Sequence, residues 1–243
     1  MTDAMRHRPP RGVFVTGTGT EVGKTVVAAV IARVLAKEGA RVAVFKPAVT
    51  GLDDLAVDGP ISGDIGAKSA RRPDDADHAL LRRAAGSAQS EAEIAPYRYG
   101  PAASPHLAAK LAGEEIDPAR LIAAAEAAAA QADTLVCEGI GGLCVPLAPG
   151  YLVRDFAAEL ALPIVIAASP GLGTINHTLL TIEAARAAGL AIAAVVLTPW
   201  PEAPGQIEES NQETIATYGE VRVLTLPLLN LSDPTTWPAL PLP

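Results

Sequence analysis

VFVTGTGTEVGKT, residues 13–25, carries three apolar residues into a run of small ones that closes on Gly23-Lys24-Thr25. A strand that ends in a glycine-rich turn and enters a helix aims backbone N–H groups at one point, where the helix dipole adds partial positive charge. Lys24 offers a full charge to β- and γ-phosphates, and Thr25 offers a hydroxyl to Mg²⁺. The spacing is wider than the strict G-x-x-x-x-G-K-[ST] loop, because five residues separate Gly17 from Gly23. A lone G-x-G is most simply an ordinary tight turn with a solvated lysine. Here strand, turn, Gly-Lys-Thr and helix agree, and the stretch is a phosphate cradle built from Gly17, Thr18, Gly19, Thr20, Glu21, Val22, Gly23, Lys24 and Thr25.

Outward from this loop, short β-branched runs alternate with alanine-rich helical stretches. Helix is expected over 24–39, strand over 41–47 up to Pro47, and short helices at 64–72 and 75–85. Helices follow at 104–113 and 118–132, and a strand at 134–139. The run VRDFAAELA reads as helix, 163–169 as strand, 174–189 as helix, 191–198 as strand, 206–219 as helix and 221–227 as a last strand. Continuous apolar strands suit a parallel sheet covered on both faces. The fold class expected is α/β, a doubly wound, mostly parallel sheet of the P-loop NTPase type. Residues 13–229 are expected to form one domain, with a disordered tail over 1–12 and an irregular tail over 230–243 lying on the surface.

The 243 residues fit one such domain and bury a sizeable core. A net charge of −8 without a basic block argues against nucleic acid as a partner. The polar, proline-rich N-terminus has no signal-peptide core, and no apolar run approaches the roughly 20 residues of a membrane span. Cys137 and Cys144 are too few for a disulfide framework and are expected as buried free thiols in a cytoplasmic protein.

The loop GTGTEVGKT resembles that of the dethiobiotin synthetases, G-T-x-T-E-V-G-K-T, and further segments agree in order. FKPAVTG (45–51) is similar to the family's K-P-x-x-[ST]-G strand end, CEGIGG (137–142) to its E-G-A-G-G loop, and GLGTINH (171–177) to its L-G-x-I-N-H helix start. SPH (104–106) also fits, and the similarity spans about residues 13–229. The resemblance implies an enzyme that takes 7,8-diaminopelargonate, CO₂ and a nucleoside triphosphate with Mg²⁺. One amine becomes a carbamate, which attacks the γ-phosphate to give a carbamic–phosphoric anhydride. The second amine then closes the ureido ring and expels phosphate.

The resemblance also implies the residues. Lys24 and Lys46 are the catalytic cations. Thr25, Asp64 and Glu138 hold the magnesium through hard oxygen atoms. Lys46, Thr50, Gly141 and Gly142 meet the diamine, while Gly139, Ile140 and Gly141 line the nucleotide site. Thr174, Ile175 and Asn176 open a helix that holds the substrate's carboxylate tail from a neighbouring subunit, which implies a homodimer with shared sites. The base lies against Thr198, Pro199, Pro227, Leu228 and Leu229. His106 and His177 are expected to be structural or substrate-lining rather than acid–base catalysts. On residue chemistry alone, Asp64 also suits a helix cap, Lys46 a lysine snorkelling to solvent and Glu138 a solvated loop carboxylate.

Two positions depart from the family pattern. Gly19 stands where many relatives carry Asp, and LTPWPEAPG (197–205) stands where many carry Asn-Asp after the strand. The alternative is a switch ATPase of the partitioning or septum-site type, whose loop bears a signature lysine near Gly19 and whose C-terminus is often an amphipathic membrane helix. Neither feature occurs here. A third option, an amidotransferase-like ligase of cobalamin synthesis, usually carries an additional glutaminase domain, for which 243 residues leave no room.

Overall fold

The computed structural model describes residues 11–55 and 76–242. In chain order they form β1 (Gly12–Gly17), α1 (Lys24–Lys37), β2 (Val42–Phe45), β3 (Ala48–Val49), α2 (Asp77–Ala85), α3 (Glu91–Ile94), β4 (Tyr97–Arg98), α4 (Pro105–Leu111), α5 (Pro118–Ala130) and β5 (Thr134–Glu138). These are followed by β6 (Pro146–Ala148), β7 (Tyr151–Leu152), α6 (Val153–Leu160), β8 (Ile164–Ala168), α7 (Thr174–Ala187), β9 (Ile192–Trp200), α8 (Gln206–Gly219) and β10 (Val223–Pro227). Six strands make one sheet in the order β10-β9-β8-β1-β5-β2, and every neighbouring pair is parallel. The chain winds to one side of β1 and then to the other. The C-terminal end of β1 is therefore a topological switch point, where open α/β sheets bind ligands.

The strands alternate between two cores. Phe14, Leu135, Cys137, Ile164 and Ile166 face one side with Leu121, Phe156, Ile182 and Ile215 from α5 to α8. Val15, Val136, Val165 and Val196 face the other with Val27, Val30 and Ile31 of α1 and Leu81 of α2. This period of two, apolar on both faces, is why the strands read as unbroken hydrophobic runs. Local chemistry sets several helix starts. Asp117 accepts a hydrogen bond from the Ala119 N–H at 2.9 Å and Pro118 opens α5, while Ser90 and Glu93 cap α3 reciprocally.

Some expectations change. The helix expected at 64–72 lies outside the described residues, and the next one begins at Asp77. Helix α3, strand β4 and the β6–β7 hairpin are too short to leave a period in the sequence. The C-terminal segment has only a short 3-10 turn, Pro234–Thr236, yet it does not simply lie on the surface. Trp237 and Leu240 are buried in the α1 core, and the indole N–H donates to the Asn230 carbonyl at 2.8 Å. Covering that much apolar ring area offsets the cost of ordering the segment. Cys137 is buried as expected, but Cys144 is exposed, because its loop turns outward before β6.

Candidate active site

The phosphate loop runs from the end of β1 into α1. Glu21 and Gly23 have φ of 60° and 85°, left-handed values that glycine takes freely and glutamate rarely does. A side chain at Gly23 would meet Thr198 Cγ2 at 2.6 Å, and one at Gly17 would meet Val22 Cγ2 at 2.6 Å, so both positions require glycine. The Thr18 N–H is tied to the Ala167 carbonyl of β8 at 3.0 Å. Lys24 Nζ bridges the loop and donates to the Gly19 carbonyl at 2.6 Å. Gly19 itself has open space where a side chain would stand.

Beside this loop lies a buried charge cluster. Glu138, the last residue of β5, is fully buried, and Lys46, just past β2, is 4% exposed. Lys46 Nζ donates to Glu138 Oε1 and to Asp77 Oδ2, each at 2.7 Å. Thr25 Oγ1 donates to the same Glu138 oxygen at 2.9 Å. Glu138 Oε2 is buried with no hydrogen-bond partner among the described residues. Burial pulls the Lys46 ammonium down, but Asp77 and Glu138 more than offset it and the net shift is upward. Burial pushes the Glu138 carboxyl up against the opposing pull of Lys46. Burial also lowers Lys24, with Glu138 opposing and Lys46 adding to the shift. Lys46 is thus neither snorkelling nor solvated, and Glu138 is not a loop carboxylate in water.

The orphaned Glu138 Oε2 beside the Thr25 hydroxyl is a pair of hard oxygen donors that fits a magnesium ion. Asp64 lies outside the described residues. Among the described residues, Asp77 is the further carboxylate at this cluster, and sequence reasoning missed it. Its signal is only an acid at a helix start. The segment 53–77 holds seven aspartates, and the path of the chain decides which one reaches Lys46.

The other expected residues surround these. The Gly139–Gly142 turn abuts the phosphate loop: the Gly139 N–H donates to the Val15 carbonyl at 2.8 Å, and a side chain at Gly142 would stand 3.2 Å from the Gly17 carbonyl. Ile140 is half-buried there, and Gly141 has φ of 60°. Thr198 is buried against Gly23 at the end of β9, with Pro199 exposed beyond it. At the end of β10, Pro227 and Leu228 are exposed and Leu229 is half-buried. Thr50 is half-buried after β3. At the start of α7, Thr174 is buried, Ile175 half-buried and Asn176 exposed. Asn211 of α8 steadies that turn by donating to the Pro170 carbonyl at 2.8 Å. His106 and His177 are both exposed.

A family profile described as an AAA domain matches residues 11–236. The ATP-dependent dethiobiotin synthetase BioD of Bacillus subtilis (strain 168) is 33% identical over 227 residues, covering 93% of this chain and 91% of that protein. The chain belongs to the dethiobiotin synthetase family. The synthetase of Anaeromyxobacter dehalogenans (strain 2CP-1) is 41% identical, over 77% of this chain and 76% of its own. Among solved structures, a ParA family ATPase from Chlorobium tepidum superposes with a TM-score of 0.54 at 14% identity, covering 92% of this chain and 88% of its own. The septum-site protein MinD of Pyrococcus horikoshii gives 0.50 at 18%, over 89% and 81%. Those likenesses are of fold alone. The switch-ATPase alternative therefore draws on distant structural kin, while this dethiobiotin synthetase family member has full-length sequence relatives.

Proposed function

We propose that the chain is an ATP-dependent dethiobiotin synthetase that carboxylates 7,8-diaminopelargonate and closes the ureido ring. The observation that carries this is the Lys46–Glu138–Thr25 cluster beside the phosphate loop. An ammonium has three donors, and Lys46 commits two of them to Glu138 and Asp77. Among the described residues the third has no partner, which leaves it for an oxyanion. A fixed cation in a dry site stabilises charge where it develops, on the carbamate and then on the anhydride. Lys24 and the N–H groups of the loop hold the transferring phosphoryl group, and positioning does most of the work in such transfer. The Gly139 N–H is spent on the Val15 carbonyl, so the N–H groups this turn offers to substrate or phosphate are those of Ile140, Gly141 and Gly142. A magnesium ion, held through Thr25 and Glu138 with a further carboxylate, would neutralise triphosphate charge. The direct test is phosphate release from ATP and Mg²⁺ with bicarbonate, with and without the diamine. Release that ignores the diamine would overturn this function.

The further carboxylate is Asp77 or Asp64. Asp77→Asn is expected to raise the Mg²⁺ concentration needed for half-maximal rate by about tenfold or more, the usual cost of weakening a metal's surroundings. Asp64→Asn should do so only if Asp64 is the donor. A magnesium titration of both variants separates them.

Thr198 and Pro199 occupy the place of the family's adenine-reading Asn. A hydroxyl can donate or accept and so discriminates weakly, and proline lacks an N–H. Adenine selectivity is therefore expected to be weak, with CTP or UTP serving nearly as well as ATP. A preference for ATP in kcat/KM of about 100-fold or more, some 2.7 kcal/mol, would contradict this.

We also propose a homodimer with shared sites. Its support is the exposed start of α7, where Asn176 stands near Leu172, 96% exposed, and Leu180, 56% exposed; apolar exposure of this kind marks interaction surfaces. Mixing a Lys46→Ala chain with an Asn176→Ala chain is expected to restore activity, because one hybrid site has both residues. No recovery, with subunit exchange verified by native mass spectrometry, would remove the shared site. Cytoplasmic working is supported by the two free cysteines.

A further inference from the structure

A cavity of about 840 Å³ lies at the free edge of the sheet, away from the phosphate loop. Its volume is in the range of small-molecule sites, about 300–1,000 Å³. It opens between the C-terminal part of α1, the α2–α3 turn and α5, against the start of β2. Alanines such as Ala40, Ala88, Ala124 and Ala128 line it, and their side chains are too short to close the gap between these helices.

The floor of this cavity is an edge strand with a partly used ladder. The Val44 N–H donates to Gln89 Oε1 at 2.9 Å, and the Val44 carbonyl accepts from Gln89 Nε2 at 3.2 Å. The Gln89 amide thus stands in for a neighbouring strand. Further along, the Lys46 N–H donates outward to the Ile94 carbonyl at 2.8 Å. Backbone groups on a strand repeat every second residue, so those of Val42 also face away from the sheet. Val42 lines the cavity, and no side chain or loop among the described residues takes up that outward pair. Edge N–H and C=O groups left in this way are a template for a further partner.

The wall carries an unmatched cation. Arg33 is half-buried on α1 and lines the cavity, its Nε is enclosed with no hydrogen-bond partner, and no ion pair engages it among the described residues. Arg120 lines the opposite side, its guanidinium 5.0 Å over the Tyr97 ring. The third arginine, Arg41, is matched by Asp133 at 2.8 Å. Glu93 is the one carboxylate lining the cavity, and its Oε2 is taken up by the Ser90 N–H and hydroxyl, each at 2.7 Å; among the described lining residues Arg33 and Arg120 are left to meet an anion.

We infer that this cavity binds a small molecule carrying both an amide or ureido edge and a carboxylate. The amide edge pairs with Val42 as Gln89 pairs with Val44, and the carboxylate meets Arg33. A cyclic urea with an aliphatic acid tail, the chemistry of dethiobiotin itself, satisfies both ends. The choice of that ligand rests on the proposed function; the site does not.

The test is titration of the ¹⁵N-labelled full-length protein with dethiobiotin, in parallel with an n-alkanoate of similar length that lacks the ureido group. Dethiobiotin is expected to shift the amide signals of Val42, Gln89 and Ala124, and the alkanoate to bind more weakly. Arg33→Gln is expected to weaken the dethiobiotin response by about tenfold or more, as loss of a charge-assisted hydrogen bond does, with Arg33→Lys restoring part of it and turnover unchanged in both. Shifts confined to the phosphate loop and the Gly139–Gly142 turn, or no shifts at all, would overturn the site. Because the wild-type map decides this without turnover, an active synthetase with a silent Val42 would sink the cavity alone, and an inactive chain with a responsive Val42 would sink the enzyme function alone.

Discussion

Lys46→Met is expected to lower turnover by about 10²–10³, the effect of removing one preorganised charge that acts mainly in the transition state. Nucleotide affinity should change much less, since the ammonium is held by β2 and the carboxylates rather than by the phosphate loop. The burial of the cluster adds a second consequence. Without Lys46, Glu138 faces the protein interior with no cation. Breaking a fully buried pair costs about 3–5 kcal/mol; Asp77 keeps 36% of its side-chain surface, so the lower end of that range is expected here. Urea unfolding of the variant, alongside its steady-state rate and its nucleotide affinity, separates the two effects. Turnover near that of the unaltered protein would remove Lys46 from the mechanism, whatever the stability shows.

Lys24→Ala is expected to lose triphosphate affinity as well as rate, by about 10²–10³ in kcat with KM raised too. Lys24 spans the loop to Gly19 and lies among the charges of Glu138, Lys46 and Asp77. Its removal takes a cation from the phosphates and a clasp from the loop. The measurement is kcat and KM for the triphosphate together with equilibrium binding of a non-hydrolysable analogue. A variant whose KM is unchanged would show that the backbone N–H groups and the helix terminus hold the triphosphate without the lysine.

Most of the fold could be read from residue order because each parallel strand is apolar on both faces and each long helix is punctuated by Gly, Asp-Pro or a following β-branched run. The phosphate loop was legible because it is marked locally: Gly23 takes a left-handed φ of 85° and a side chain at Gly17 would meet Val22, whereas the crowding of Gly23 by Thr198 comes from distant β9. Other features depend on distant partners. Nothing local marks Asp77 over the other acids before α2, because its role comes from meeting Lys46, 31 residues earlier. The Gln89 side chain imitates a strand only once β2 is at the sheet edge. Trp237, in a proline-rich tail, looked like surface, and burial against α1 is a long-range outcome with no period to announce it. Cys144 failed in the opposite sense, since the general tendency of free thiols to be buried says nothing about a loop that turns outward.

Forming a carbamate on the diamine and using a triphosphate to close it into a ring is the activity proposed for this one site. Supplying ¹³C-bicarbonate, 7,8-diaminopelargonate, Mg²⁺ and ATP, then following product mass and phosphate together, addresses it most directly. The expected result is dethiobiotin carrying the label in its ureido carbonyl, formed in step with phosphate, one for one. Phosphate released without labelled dethiobiotin, or at the same rate when the diamine is left out, would contradict it.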